Sequence, residues 1–344
     1  MRALYVTADK IGTETGGGAV TKNELQALMA VFDDVTVLSH VELSPERWRQ
    51  PETPFIYDYF ALQQVRGKRF KHAHFYSGTF TQTVRYLKSR GTKITYTVPA
   101  HDRKVTVEEF GLNGLEYPWH HIKDDDLWEI FSEGYRLADM VVAPSSMSMD
   151  FLVKSGCKNV RVIPHGCEIP DKVPGYPETF KVGYLGQLGP DKGIRYLIGA
   201  WSELNYPDAE LWLAGNGTEQ LQSYIQQIAQ NGRYNLMGRV GDIAELYGNV
   251  SVYCQPSVCE GFGFGRPVVV SRGAGAADAV TEDYGSIVSI RNPHGLAEAI
   301  DSFKKNMVHI PMMGLLAREK AKEYDWPVIR SKYATLFASL QTGR

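Results

Sequence analysis

Three stretches of this chain combine residue types that could handle an anion or a polyhydroxylated ligand. The first is Gly16-Gly17-Gly18, which follows an apolar run and directly precedes an amphipathic pattern beginning near Val20. Glycines there permit close backbone approach, and the unpaired amides and positive dipole end of a following helix favour negative charge. A flexible strand-to-helix turn fits the same residues, because the stretch matches neither Walker A nor the G-x-G-x-x-G fingerprint.

The second stretch is VGYLGQLGPDKGIRYLIGAW, an apolar strand pattern running through Gly186, Gln187 and Lys192 into a helical pattern. Lysine supplies a point charge and backbone amides supply directed hydrogen bonds, which together stabilise charge building on a departing phosphate. The third is YCQPSVCEGFGFGRPVVVS, where Glu260 sits among Gly261, Phe262 and Gly263 and could accept hydrogen bonds from sugar hydroxyls. Taken singly, Lys192 and Glu260 also read as solvated loop residues.

The Asp124-Asp125-Asp126 run invites a metal, but it precedes the helical LWEIFSEGYRLA. A helix N-cap with a favourable dipole interaction is the better account.

These loops need elements to hold them. Short β-branched runs alternate with helical periodicity along the whole chain, the pattern of parallel sheets flanked by helices. One series runs from Ala3–Val6 to Val160–Ile163, and a second from Val182–Leu185 to Ser286–Val288. Leu25, Leu28, Met29 and Phe32 form an i, i+3, i+4, i+7 stripe that predicts a helix burying one face against the first sheet. Between the series lies IPDKVPGYPETF, whose prolines and glycine suit a linker. The fold expected is α/β, with two doubly wound, Rossmann-like parallel-sheet domains, 1–170 and 171–324. Such sheets bind ligands at the carboxyl ends of their strands, and two facing each other would frame a cleft.

Bulk properties agree. The 344 residues exceed what one core usually serves, and 43% hydrophobic with 22% charged residues is a globular composition. A net charge of −2 argues against a nucleic-acid partner. Cys157, Cys167, Cys254 and Cys259 lack C-x-x-C spacing, so neither a disulfide framework nor a metal site is suggested. The start MRALYVTADK lacks a signal-peptide core, and no run reaches a membrane span, so a cytoplasmic location is expected. The basic, aromatic run from Arg66 to Phe75 could make peripheral contact with an anionic membrane; a solvated loop and strand start is the competing reading.

The ordered series of these stretches resembles the GT4-type, group 1 family of retaining glycosyltransferases with the GT-B fold. The series comprises the glycine loop, VPAHD, LWEIFSEGYRLADMVVAPS, VRVIPHG, VGYLGQLGPDKG, LWLAGNG, MGRVGDIAELY, the Glu260 loop and DWPVIRSKY. The resemblance implies sugar transfer from a nucleoside diphosphate sugar, UDP- or GDP-linked, to an acceptor hydroxyl, with retained configuration and without a metal or other cofactor. It implies that Gly16 to Gly18 approach the diphosphate or sugar, Lys192 binds the diphosphate, and Arg239 with Val240 lies beside the nucleobase. Glu260 would hold the transferred sugar near the amides of Gly261 to Gly263. His101, in the HD pair after Ile94–Val98, matches the family's histidine beside the reacting sugar and would orient it. The terminal segment 325–344 would cross back to the first domain. Trp48 and Trp119-His120-His121 are candidates for the acceptor side.

Two departures stand out. Gln187 replaces the arginine that usually follows Gly186. The family's E-x7-E pattern also calls for a second glutamate on a helix, yet Gly263 runs directly into Phe264-Gly265-Arg266-Pro267. A parallel crossover with its helix needs about 10 to 12 residues, so a helix-bearing segment reads as missing between Gly263 and Phe264. A catalytically impaired nucleotide-sugar-binding protein is therefore the alternative. A dinucleotide-dependent dehydrogenase, suggested by Gly273-Ala274-Gly275, is weaker because Asp278 stands where the third fingerprint glycine belongs.

Overall fold

The computed structural model describes residues 1–12, 16–43, 54–99, 103–116, 125–169, 171, 175–217, 223, 225–226, 234–241, 243–256 and 265–342. The first half runs β1 (Arg2–Thr7), α1 (Gly16–Met29), β2 (Asp34–Leu38), α2 (His40–Leu43), α3 (Pro54–Val65), β3 (His72–Tyr76) and α4 (Thr81–Ser89). It continues β4 (Lys93–Thr97), α5 (Arg103–Leu112), α6 (Asp125–Leu137), β5 (Met140–Ala143), α7 (Ser146–Lys154) and β6 (Val160–Val162). The second half runs β7 (Phe180–Leu185), α8 (Ile194–Leu204), β8 (Ala209–Ala214), β9 (Tyr234–Gly238), α9 (Ile243–Gly248) and β10 (Val252–Gln255). It ends β11 (Val268–Ser271), β12 (Gly285–Val288), α10 (Pro293–Lys305), α11 (Ile310–Ala321) and α12 (Trp326–Thr342).

Two compact units result. One gathers Met1–Arg103, Pro118–Gly166 and Trp326–Arg344; the other gathers Lys104–Tyr117 and Cys167–Asp325. Each holds a six-stranded parallel sheet, ordered β2-β1-β3-β4-β5-β6 in the first and β12-β11-β10-β7-β8-β9 in the second. Two parallel sheets with flanking helices are the two-domain, doubly wound α/β fold expected from the alternating sequence pattern.

Period-two alternation explains the two faces of the first sheet. Leu4 and Val6 join Phe75, Val84 and Ile94 on one side. Ala3 and Tyr5 join Leu28, Tyr333 and Phe337 on the other, where α1 and α12 pack. The stripe forecast for α1 is only partly right. Met29 is exposed and ends the helix, and the buried face instead carries Val20, Thr21, Glu24, Ala27 and Leu28. The reason is polar. Glu24 Oε2 accepts from Tyr5 Oη at 3.1 Å and lies 3.2 Å from His74 Nε2, a buried seam that apolar periodicity cannot reveal.

The seam continues along β3. Thr95 Oγ1 is 2.7 Å from His74 Nδ1 and 2.9 Å from His72 Nε2, and Gln341 of α12 reaches His72 Nδ1 at 3.1 Å. Burial, reinforced by the neighbouring His74, pulls the His72 pKa down to about 3. The run from Arg66 to Phe75 divides in two, with Arg66, Arg69 and Lys71 exposed ahead of the strand. His72, Ala73, His74 and Phe75 are fully buried in the sheet and Phe70 lies under the Arg2 guanidinium, so the aromatic half of that run is core.

The expected border of the first domain, 1–170, needs one further correction, because Lys104–Tyr117 belongs to the second unit. Fully buried Glu109 accepts from Arg291 Nε and, at 3.0 Å, from Tyr196 Oη; Arg291 also reaches Glu108 at 2.8 Å, and Arg195 donates to the Leu112 carbonyl at 2.7 Å. A buried carboxylate with these partners fixes the segment there.

Candidate functional site

In doubly wound sheets ligands bind beyond the carboxyl ends of the strands, where neighbouring strands send their connections to opposite faces. In the second sheet that reversal falls between β7 and β10, and in the first between β1 and β3.

At the β7 end, the Gly186 N–H donates to the Ala214 carbonyl and the Leu188 N–H to the Asn216 carbonyl, each at 3.0 Å, tying the turn to the end of β8. A short 3-10 turn, Pro190–Lys192, then leads through Gly193 into α8. Gly193 has φ +70, a conformation glycine adopts without strain. Lys192 Nζ lies 3.2 Å from Asp191 Oδ2, with side chains 20% and 18% exposed, just ahead of α8. Gln187 is exposed, and its carbonyl accepts from Tyr184 Oη at 2.7 Å. Pro256, the residue before the Glu260 loop, touches this turn, since a Cβ on Gly193 would come 2.0 Å from its carbonyl oxygen. A positive side chain, a helix start and the end of β10 therefore come together at one turn, a combination suited to a phosphate-bearing ligand.

Arg239 and Val240 follow β9 at the same edge of this sheet. Arg239 is exposed, whereas Val240 is half-buried and packs on Ala214, Leu246 and Val250. In the first sheet, Gly16 to Gly18 open α1 as expected, and the Gly18 carbonyl accepts from Gly12 N–H at 2.9 Å and Thr21 Oγ1 at 3.0 Å.

Several forecast positions lie outside the described residues: His101, Glu260, Gly261, Phe262, Gly263, the junction with Phe264, Trp48, Trp119-His120-His121 and Asp124. Asp125 and Asp126 occupy the first turn of α6, and Asp125 pairs with Arg103. Among the described residues, no group of three or more His, Cys, Asp or Glu could hold a metal, and no helix is long and apolar enough to cross a membrane. The Gly273-Ala274-Gly275 run leads into a 3-10 turn, Gly275–Ala279, which lacks the long helix start of a dinucleotide fingerprint.

Sequence reasoning missed other polar residues. Asp9 follows β1; a Cβ on Gly17 would sit 3.4 Å from its Oδ2 and 3.7 Å from Tyr76 Oη. Burial raises the Asp9 pKa, and the charge of His40 opposes this. Ser77, just past β3, holds φ +51, an unusual conformation for a residue with a Cβ. In the second unit Arg266 is 1% exposed, lies 3.9 Å over the Tyr176 ring, and donates to the carbonyls of Tyr247 at 2.6 Å and Gly175 at 2.9 Å. These sites come together through non-local strand pairing, and no local motif announces them.

The architecture is the GT-B fold. Over the whole of both chains it superposes on sucrose-phosphate synthase from Thermosynechococcus elongatus with a TM-score of 0.76 at 17% identity. Anabaena HepE in complex with UDP-glucose gives 0.69 at 17% identity, covering 98% of this chain and 100% of that one. Residues 179–306 match the family model described as Glycosyl transferases group 1.

Curated relatives include a sulfoquinovosyl transferase of Arabidopsis thaliana, 24% identical over 60% of this chain and 46% of its own length. A GDP-mannose-dependent alpha-mannosyltransferase of Mycobacterium tuberculosis is 26% identical over 59% and 57%. The matches thus span about half the length of these relatives.

Proposed function

We propose that the chain is a retaining glycosyltransferase that moves a sugar from a UDP- or GDP-sugar to an acceptor hydroxyl without a metal. The observation that carries this reading is the Lys192 turn at the β7/β10 reversal, inside the stretch that matches the group 1 family. The diphosphate would lie against the Lys192 ammonium and the α8 start, with the base toward Arg239 and Val240. Departure of the nucleoside diphosphate builds charge on its β-phosphate, which the ammonium stabilises more strongly than it does the intact donor. The leaving phosphate oxygen accepts the acceptor proton, and His101 and Glu260 orient the transferred sugar.

Relatives support both donor bases: HepE was solved with UDP-glucose, and two mannosyltransferases are named for GDP-mannose. Nucleotide release from UDP-glucose and GDP-mannose across an acceptor panel tests the reading, with the anomeric configuration of the product read by NMR. An inverted product would refute retention, and absence of release with every acceptor would refute transfer.

A second reading, nucleotide-sugar binding with impaired turnover, is favoured by Gln187 and by the connection from Pro256 to Pro267 between paired parallel strands β10 and β11. Twelve residues at most leave little room for a glutamate-bearing crossover helix. Donor binding without release identifies it.

A further inference from the structure

Helix α11 buries its small residues and exposes its large ones. The inner face carries Ile310, Gly314, Ala317 and Ala321, and it lies so close to its neighbours that a Cβ on Gly314 would come 1.8 Å from Tyr176 Oη. Met312, Leu315 and Leu316, spaced i, i+3, i+4, are turned outward instead, 62%, 57% and 43% exposed. Val308, in the turn Met307–His309 just ahead of α11, is 82% exposed and lengthens the run. An ordinary surface helix does the reverse, burying its large apolar side chains. Contiguous apolar surface of this kind amounts to a few hundred Å², roughly the size at which an exposed patch marks an interaction site.

The charges around the stripe decide what can cover it. Lys320 pairs with Glu323 at 2.7 Å, Lys322 with Glu319 at 2.6 Å, Lys305 with Asp301 at 2.5 Å and Lys304 with Asp208 at 2.9 Å. Arg318 reaches the Asp171 carbonyl at 3.5 Å. The lysines are thus balanced by carboxylates of the same chain, unlike the basic polar face with which an amphipathic helix holds an anionic membrane. A neutral apolar stripe calls for a neutral apolar partner. The same stripe on a second copy supplies one, because a twofold axis brings identical surfaces together. Antiparallel pairing also sets the charged end of each α11, residues 318–322, beside the uncharged start of the other, residues 310–313, and opposes the helix dipoles favourably. A net charge of −2 adds little repulsion between copies.

We infer that α11 is the twofold interface of a homodimer, with Met312 and Leu315 at its centre and Val308 and Leu316 beside them. Two such stripes with their rims bury about 1,000 Å² in total, near the lower bound for a specific interface. The dimer is therefore reversible, with a dissociation constant on the order of micromolar. The inference stands apart from the glycosyltransferase reading, since no donor contact enters it.

Sedimentation velocity of the full chain from about 1 to about 100 μM, bracketing that constant, tests it. The expected result is a shift from the 38.5 kDa monomer toward twice that mass as the concentration rises. Met312→Glu and Leu315→Glu should each weaken the dimer about tenfold or more, and the double variant should stay monomeric throughout. Melting temperatures at the lowest concentration should match the wild type's, because both side chains are exposed. Val41→Glu, at an exposed apolar residue of the first unit, should leave the dimer intact. Should the double variant fail to fold, Leu315→Cys decides: a short bismaleimide should join it into a covalent dimer that the wild type does not form. The interface is overturned by a wild type that stays monomeric, by a dimer that survives the double substitution, or by a Leu315→Cys chain that does not cross-link. Co-sedimentation of the wild type, but not of the double variant, with neutral or anionic vesicles would also overturn it and assign the stripe to a lipid surface.

Discussion

Gly193 and Pro256 touch backbone to backbone: a Cβ on Gly193 would come 2.0 Å from the Pro256 carbonyl oxygen. That contact ties the Lys192 turn to the end of β10, the strand that leads into the Glu260 loop. Gly193→Ala meets both this clash and a φ of +70. We expect a loss of about 2 kcal/mol or more, from strain at positive φ plus displaced backbone. The variant should melt several degrees lower and bind nucleotide more weakly; an unshifted melting curve would show that the turn yields freely.

Lys192→Met keeps the stem of the side chain and removes its charge. Donor affinity should fall about tenfold to a hundredfold, the range for losing a hydrogen bond to a charged group. Melting should change little, because the Lys192–Asp191 pair is partly exposed and such pairs contribute modestly. Equal affinity in calorimetry would detach Lys192 from the donor.

Arg291 joins positive φ (+57) to an ion pair in which Glu109 is fully buried and Arg291 itself is 31% exposed. Hydrogen bonds to Glu108 and Glu109 raise its own pKa. Arg291→Ala keeps the strain and strands a fully buried carboxylate, so denaturant unfolding should show a cost of roughly 3 kcal/mol or more. Arg291→Gly loses the same pair but relieves the backbone, and should be the milder by about 1 kcal/mol. Equal costs would mean that the backbone strain is negligible.

Acid should loosen the first unit through His72. Its pKa falls from 6.5 to about 3 on folding, so the folded chain keeps the ring neutral while the unfolded chain takes up a proton below 6.5. The stabilisation is complete above about pH 6.5 and is lost as the pH falls towards 3. At about pH 5 the loss is roughly 2 kcal/mol. The pH dependence of unfolding should flatten over that window in His72→Gln, and an unaltered slope would assign it to other groups.

The sheets were legible from sequence because parallel strands buried on both faces read as apolar runs such as Val141 to Ala143 and Val268 to Val270. The Lys192 turn was legible for a similar reason, as a local strand, loop and helix in one stretch. The rest arises from distant partners. Glu24 lies outside the apolar stripe read for α1 and is buried because β1 and β3 bring Tyr5 and His74 to it, and Lys104–Tyr117 changed unit because of Arg291, far along the chain.

Hydrogen–deuterium exchange of the full chain, with and without saturating UDP or GDP, tests most directly whether the Lys192 turn grips the nucleotide. The account predicts slowed exchange at amides 186–195, with a weaker effect at 238–240. Full exchange there, with protection confined to some other surface, would contradict it.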